Sequence, residues 1–124
     1  MTKSPTSSPM SWLSDVADHD YEAAFNYLSL KFDKKQATAI VDRMKKAKLT
    51  SRRANDILRA TDLPPLPLTD PGVKKDLLKL LSGEKLSPVL VYDQQPGADI
   101  GDGYHRVSLA YNIDPFLMVP LRLG

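Results

Sequence analysis

Cysteine is absent from the sequence, which excludes disulfide frameworks, thiolate metal sites and cysteine nucleophiles. Histidine is scarce: only His19 and His105 could supply an imidazole ligand, and we therefore expect no metal site. No apolar run reaches the length of a membrane span, and residues 1–11, rich in Ser, Pro and Thr, lack the apolar stretch of a signal peptide. These absences predict a cytoplasmic protein with no membrane segment.

Positive charge is concentrated in one part of the chain. The 124 residues carry a net charge of +2, yet nine Lys or Arg stand against two Asp between residues 34 and 59, so the remainder is net acidic. Such a basic segment can guide an anionic partner to one region. The alternative is that these side chains only solvate the outer faces of helices.

The first half of the chain has the apolar spacing of amphipathic helices. Asp18 or Asp20 can cap a first helix, a second begins after Asp33, and a third is predicted from Arg52 to Ala60 after a short break at residues 49–51. The apolar residues recur at the spacing that places them on one face of each helix. The predicted inner faces comprise Tyr21, Ala24, Phe25 and Leu28, then Ala37, Ile40, Val41 and Met44, then Ala54, Ile57 and Leu58.

The second half mixes strands with helices, which predicts an α+β fold. The prolines of residues 63–68 favour an extended connector or an edge strand. Asp70 and Pro71 then begin a helix that Gly83 stops, with Val73, Leu77, Leu80 and Leu81 as its inner stripe. The remaining predicted elements are a strand over 88–92, a turn over 93–97, a strand over 98–100, a helix over 104–112 and a last strand over 116–123.

The loop from Gly101 to Arg106 has the composition of an anion-binding site. It follows a predicted strand and opens a helix, whose amino terminus offers unpaired N–H groups and a partial positive charge. Gly101 and Gly103 allow close approach of the backbone, and His105 and Arg106 add donors that match phosphate oxygens. The alternative is a tight turn between strand and helix with no ligand.

The same region resembles the ParB/sulfiredoxin-like superfamily, the fold of the ParB amino-terminal domain. The similarity rests on Leu-Ser-Pro-Val-Leu-Val at 86–91, Asp-Gly-Tyr-His-Arg at 102–106 and Ala110. The resemblance implies a small mixed sheet with helices over residues 63–124. The residues themselves predict a flexible tail over 1–17, whose apolar Trp12 and Leu13 could instead fold back onto the body, and a helical segment over 18–62, with all three packed as one compact unit. The whole chain also resembles short bacterial proteins with no assigned activity that share the Asp-Gly-Tyr-His-Arg run.

The family resemblance implies a nucleotide site at this loop. Gly103, His105 and Arg106 would contact phosphate, with Gly101 and Tyr104 beside them, and a nucleoside triphosphate with Mg²⁺ would be the ligand. Tyr104 stands where sulfiredoxins have their cysteine, so reductase chemistry is not expected. The sequence ends without the DNA-binding helices of partition proteins, so a centromere clamp is not expected either.

Several residues of the loop allow more than one interpretation. For phosphoryl transfer or hydrolysis, His105 and Asp102 are the catalytic candidates, although Asp102 also suits a simple helix cap. Arg106 could instead pair with Asp99 or Asp114, and Tyr104 could either stack on a base or lie against the sheet.

A different function is also open, namely a binding module that uses the basic segment to dock nucleic acid or a partner protein. The candidate contacts are Lys45, Lys46, Arg52, Arg53 and Arg59. Basic residues at the start of the third helix, after a short turn, also allow a helix-turn-helix DNA reader, although the turn lacks a glycine.

Overall fold

The computed structural model describes residues 8–124 and has the predicted α+β class. In chain order the elements are α1 (Asp18–Lys31), α2 (Lys34–Lys46), β1 (Leu49–Arg53), α3 (Ala54–Thr61), α4 (Pro71–Leu81), β2 (Val89–Asp93), β3 (Ala98–Asp102), α5 (Tyr104–Ile113) and β4 (Met118–Leu123). No helix among these described residues is both long and apolar enough to cross a membrane.

The four strands form one mixed sheet in the order β1-β4-β2-β3. β4 pairs antiparallel with β1 and parallel with β2, and β2 pairs antiparallel with β3. Because β1 comes from the predicted helical segment and β4 from the carboxy-terminal one, both segments build the same sheet. β3 lies at an edge, which places the loop after Gly101 at the sheet edge, as predicted.

The strand β1 was not predicted and replaces two sequence-based expectations. Residues 49–51 are not a break between helices, and the third helix begins at Ala54, not at Arg52. Arg52 and Arg53 are extended because they pair with Val119 and Met118 of β4. A partner that is remote in sequence thus overrides the local helical pattern.

Helices cover both faces of the sheet, and successive side chains of β2 point alternately to the two faces. Val89 and Val91 belong to the core shared with α3, α4 and α5, whereas Leu90 and Tyr92 belong to the core shared with α1 and α2. The predicted inner faces of α2 and α3 are buried as expected, while Tyr21 and Phe25 of α1 are partly buried.

The prediction for α4 was right at its start and partly wrong at its inner stripe. Asp70 caps the helix by accepting from the backbone N–H groups of Gly72 and Val73, at 2.9 and 3.1 Å. Leu81, however, lies in the last turn and is exposed, and Asp76 is buried in the stripe three residues after Val73. The connector before α4 contains no strand, so the edge strand allowed by its sequence does not form.

From Met10 onward the chain before α1 packs against the body, so the alternative expected for Trp12 and Leu13 replaces the flexible tail over residues 10–17. Met10 and Val16 are buried. The N–H of Leu86 donates to the carbonyl of Ser11, and the N–H of Leu13 donates to the carbonyl of Leu86, both at 2.8 Å. Residues 1–7 of that prediction lie outside the described part of the chain.

Candidate functional site

The candidate loop joins β3 to α5 with a left-handed glycine. Gly101 and Asp102 are the last residues of β3, so both belong to the strand. Gly103 is the residue before α5, with φ of 114°, a conformation that favours glycine. No side chain caps this helix, so the cap predicted for Asp102 is wrong.

The first turn of α5 offers its backbone donors without a side-chain cap. The first intrahelical bond is from the N–H of Val107 to the carbonyl of Gly103, at 3.0 Å. The N–H groups of Tyr104, His105 and Arg106 precede that bond and therefore have no acceptor within the helix. Together with the helix dipole, they favour a negative group at this end.

A cavity of about 310 Å³ opens beside the loop. The loop from Gly101 to His105 forms one wall, Ala23 and Tyr27 of α1 form another, and Leu63 closes one side. Asp99 and Ile100 complete the lining. The volume lies at the lower end of the range for small-molecule sites.

Arg106 is held by two carboxylates. One guanidinium nitrogen lies 3.2 Å from Asp20 Oδ2 of α1 and 3.1 Å from Asp102 Oδ2. The side chain of Arg106 is only 14% exposed and that of Asp20 only 5%. The alternative prediction, in which Arg106 pairs with Asp99 or Asp114, is therefore wrong. Asp20 is also not the cap of α1, which begins after Ala17 without a side-chain cap.

The surroundings of Asp102 favour its protonated form more than water does. Burial raises the pKa of this carboxyl above its ordinary value, and the nearby charge of Asp20 adds to the increase. The guanidinium of Arg106 opposes the shift without cancelling it. The catalytic role predicted for Asp102 stays a prediction.

His105 lies where the starts of α4 and α5 meet. Its Nε2 is 3.5 Å from Oδ2 of Asp70, the cap of α4, and about half of the side chain is exposed. The imidazole packs on Gly72, where a Cβ would clash with the ring. Tyr104 stacks on the imidazole with centroids 6.4 Å apart, and its hydroxyl donates to the carbonyl of Pro64, so the connector holds Tyr104.

A polar network at the cavity wall was missed by the sequence analysis. Asp99 accepts from the hydroxyls of Tyr27 (2.6 Å) and Tyr92 (2.8 Å) and from Lys31 Nζ (3.0 Å). Burial alone would raise the pKa of Asp99, but these three donors together lower it. Burial and the bond to Asp99 raise the pKa of Tyr27 to about 12. The i, i+4 spacing of Tyr27 and Lys31 was the available signal.

Asp76 is the other missed residue. It is buried on the inner side of α4, where burial raises its pKa despite the positive charges of Arg106 and Lys79. The predicted inner stripe of α4 did not include Asp76, although its three-residue spacing from Val73 fits that face.

Replacement of Asp76 by Asn is expected to change how stability depends on pH. Because the folded pKa of Asp76 is raised, the wild type binds the proton more tightly when folded and loses stability as pH rises above 3.8, its unfolded value. The variant has no such loss. As pH rises above 3.8, the free energy of unfolding of the variant should therefore increase relative to that of the wild type. Urea unfolding of both proteins across mildly acidic pH tests this, and a constant difference would contradict it.

The basic candidates do not form a helix-turn-helix, because β1 separates α2 from α3. Lys45 and Lys46 are at the end of α2, and Arg52 and Arg53 are exposed on β1. Arg59 pairs with Asp56 at 3.7 Å. The DNA-reader alternative that depended on that motif is therefore wrong.

Comparison with protein-family models, curated proteins and solved structures finds no match for this chain. The similarity to the ParB/sulfiredoxin-like superfamily thus stays a prediction from the loop and strand residues. Within residues 8–124, no group of three His, Asp or Glu side chains is placed to hold a metal ion.

Proposed function

We propose that the chain binds the phosphate of a nucleotide or another phosphorylated small molecule at the start of α5. The observation that carries this proposal is the uncapped amino terminus of α5, which opens through Gly103 onto the cavity of about 310 Å³. Backbone N–H groups at a helix start bind phosphate without needing a particular side chain. A cytoplasmic location, where nucleotides are available, belongs to the same proposal.

His105 and Arg106 differ in exposure and in partners, so we propose different roles for them. His105 is half exposed beside the free N–H groups and can donate to a phosphate oxygen. Arg106 is occupied by Asp20 and Asp102, so we assign it to positioning the loop, not to direct phosphate contact. Phosphoryl transfer or hydrolysis here would use His105 and Asp102 as the acid–base pair.

The carboxylates at the cavity give Mg²⁺ a role in this proposal. Asp102 and Asp99 both line the cavity, and their negative charge opposes a bare triphosphate. Mg²⁺ is commonly held by one or two carboxylates together with substrate phosphates, and it would reduce this repulsion. No complete protein cage is required, so we expect the metal to enter with the nucleotide.

Calorimetric titration with ATP, CTP, ADP and AMP, with and without Mg²⁺, tests the proposal. The wild type should bind at least one of them, and His105→Ala should weaken binding by about ten-fold or more, the effect of losing one charge-assisted hydrogen bond. His19→Ala is the matched control, because His19 is the other histidine, its side chain is 80% exposed and it is not among the residues that line the cavity. No binding at millimolar nucleotide by the folded wild type, or equal weakening by both variants, would refute the proposal.

A Gly72→Ala variant should separate binding from stability. The added methyl would displace the imidazole of His105 from its place beside Asp70, while the new alanine improves the helix propensity of α4. We expect nucleotide affinity to fall about as far as in His105→Ala, with the free energy of unfolding unchanged or up to about 1 kcal/mol higher. Titration and urea unfolding of the same sample measure both quantities. Unchanged affinity would mean that His105 does not contact the nucleotide.

A second candidate function is supported by the free cations of the basic segment. Among residues 8–124, Lys45, Lys46, Arg52 and Arg53 have no carboxylate within ion-pair distance, whereas Arg59 has one. We propose on this basis that the segment docks an anionic macromolecule, nucleic acid or protein. Such binding should weaken with salt and survive His105→Ala, which distinguishes it from the nucleotide site.

A further inference from the structure

A second cavity, of about 230 Å³, lies between α3 and the sheet. We call it the α3 cavity. All four strands and α3 contribute to its lining, whose apolar members are Ile57, Ala60, Val91, Ala98, Leu121 and Leu123. None of its lining residues also lines the cavity beside Gly103, so the two sites are separate.

The interior of the α3 cavity is apolar. Apart from Arg52 and Asp56, the polar member of its lining is Thr61, whose hydroxyl donates to the carbonyl of Ile57 at 2.8 Å. The hydroxyl proton of Thr61 is thus used within α3. The volume corresponds to about eight water molecules at about 30 Å³ each, so the cavity admits a small organic molecule with an apolar body.

Arg52 brings a positive charge to the α3 cavity from the edge strand β1. Its Nη1 donates to Oγ1 of Thr50 at 3.1 Å and to the carbonyl of Ser51 at 2.8 Å, and these bonds orient the guanidinium. Within residues 8–124, the edge formed by Nε and Nη2 has no hydrogen-bond acceptor and no carboxylate within ion-pair distance. Such an edge can hold a carboxylate through two parallel hydrogen bonds.

Asp56 brings a negative charge to the same cavity from the first turn of α3. Its contact with Arg59 is 3.7 Å long, which exceeds a hydrogen bond, and both side chains are more than half exposed. Such a pair contributes little free energy, so Asp56 remains available to another cation. Asp56 and Arg52 do not lie within ion-pair distance of each other. The cavity therefore has two opposite charges that do not neutralise each other.

The usual roles of these two charges do not explain the cavity. β1 is an edge strand that runs directly into α3, so Arg52 and Asp56 are close together in the chain. An arginine on an edge strand can serve only to prevent aggregation. An acidic residue in the first turn of a helix can serve only to complement the helix dipole. Neither role requires an apolar cavity beside the two charges.

We infer that the α3 cavity binds a free apolar α-amino acid of about the size of leucine. Its carboxylate would lie against the free edge of Arg52, its ammonium group would meet Asp56, and its side chain would extend between α3 and the sheet. A zwitterion satisfies both charges, whereas Asp56 would repel a simple anion and Arg52 a simple cation. This inference is independent of the nucleotide proposal. It assigns Arg52 to the cavity, so the second candidate function would rest on Lys45, Lys46 and Arg53.

Calorimetric titration of the full chain with leucine, isoleucine, valine and methionine tests the inference. At least one should bind with a dissociation constant below about 1 mM. Isocaproate, which is leucine without its ammonium group, and isoamylamine, which is leucine without its carboxylate, should each bind about ten-fold more weakly or worse. No binding of any apolar amino acid by the folded wild type would overturn the inference, as would equal affinity for leucine and either analogue.

Variants of the lining identify the site. Arg52→Gln and Asp56→Asn should each weaken leucine binding by about ten-fold or more, and Ala60→Leu should abolish it by filling the cavity. All three positions are exposed, so the variants should fold, and circular dichroism checks this. Arg52→Gln should not weaken the binding of isoamylamine, followed by protein NMR at high ligand concentration, because that ligand has no carboxylate to lose. Equal weakening of both ligands would contradict the role of Arg52.

Matched controls lie on α2, which packs on the other face of the sheet. Lys35→Gln and Asp42→Asn each remove one exposed charge, and Ala39→Leu enlarges an exposed alanine. None of these residues lines the α3 cavity, so each variant should keep leucine affinity within about two-fold of the wild type. Weakening by the controls as large as that by the cavity variants would overturn the inference.

Discussion

Replacing Arg106 by alanine is expected to lower the free energy of unfolding by about 3–5 kcal/mol, the cost of removing one partner from a buried ion pair. The variant would leave Asp20 and Asp102 facing each other without a cation, and Asp20 is almost completely shielded from water. Urea unfolding near neutral pH, compared with the wild type, measures the loss.

Two comparisons identify the buried charges as the cause. Arg106→Ala combined with Asp20→Asn and Asp102→Asn should recover much of the lost stability, because neutral amides need no cation. Arg59→Ala removes an exposed arginine from its pair with Asp56 and should cost at most about 1 kcal/mol. The loss in Arg106→Ala should also shrink in acid, where protonation removes the repulsion. Equal losses for Arg59→Ala and Arg106→Ala would contradict this account.

The Arg106 cluster also determines how the nucleotide proposal must be tested. Asp20 belongs to α1, Asp102 to β3 and Arg106 to α5, so one guanidinium joins three elements around the cavity. Loss of binding in an Arg106 variant would therefore report disruption of the loop as much as loss of a phosphate contact. His105→Ala and Gly72→Ala avoid this ambiguity because His105 is half exposed.

Local signals were sufficient to predict the α+β class and most of its elements. Asp70 followed by Pro71 predicted the start of α4, and the apolar spacing of α2 predicted all four of its buried residues. The loop was placed at the sheet edge because a strand, glycines and a helix start follow one another directly. In each case the determining residues are within a few positions of one another.

The features that were missed depend on partners remote in sequence. β1 exists because it pairs with β4, about seventy residues later, and its own arginines give no strand signal. Asp102 is four residues before Arg106, and that spacing could have indicated one partner. The other partner, Asp20, is 86 residues away, so nothing local shows that a second carboxylate holds the guanidinium. The sequence motif therefore predicted a candidate site, but not which of its charges remain free for a ligand.

The second large effect is expected from Gly103→Ala, with a loss of about 2–5 kcal/mol in the free energy of unfolding. An L-residue at φ of 114° costs roughly 1–2 kcal/mol. The new Cβ would also lie 2.9 Å from a methyl of Val89, which is completely buried, and 2.9 Å from Arg106. Such overpacking adds about 1–3 kcal/mol.

Gly83→Ala is the control that isolates the packing cost. Gly83 also has positive φ, of 86°, but a Cβ there would meet no atom within 4 Å, so only the conformational cost of about 1–2 kcal/mol applies. The excess loss in Gly103→Ala should shrink when Val89→Ala is added, since the methyl that clashes is then gone. Urea unfolding of the wild type, Gly83→Ala, Gly103→Ala, Val89→Ala and the double variant Gly103→Ala plus Val89→Ala measures these differences. Equal losses for the two glycine variants would mean that β2 moves to accommodate the new methyl group. The start of α5 would then not be rigidly positioned for an anion.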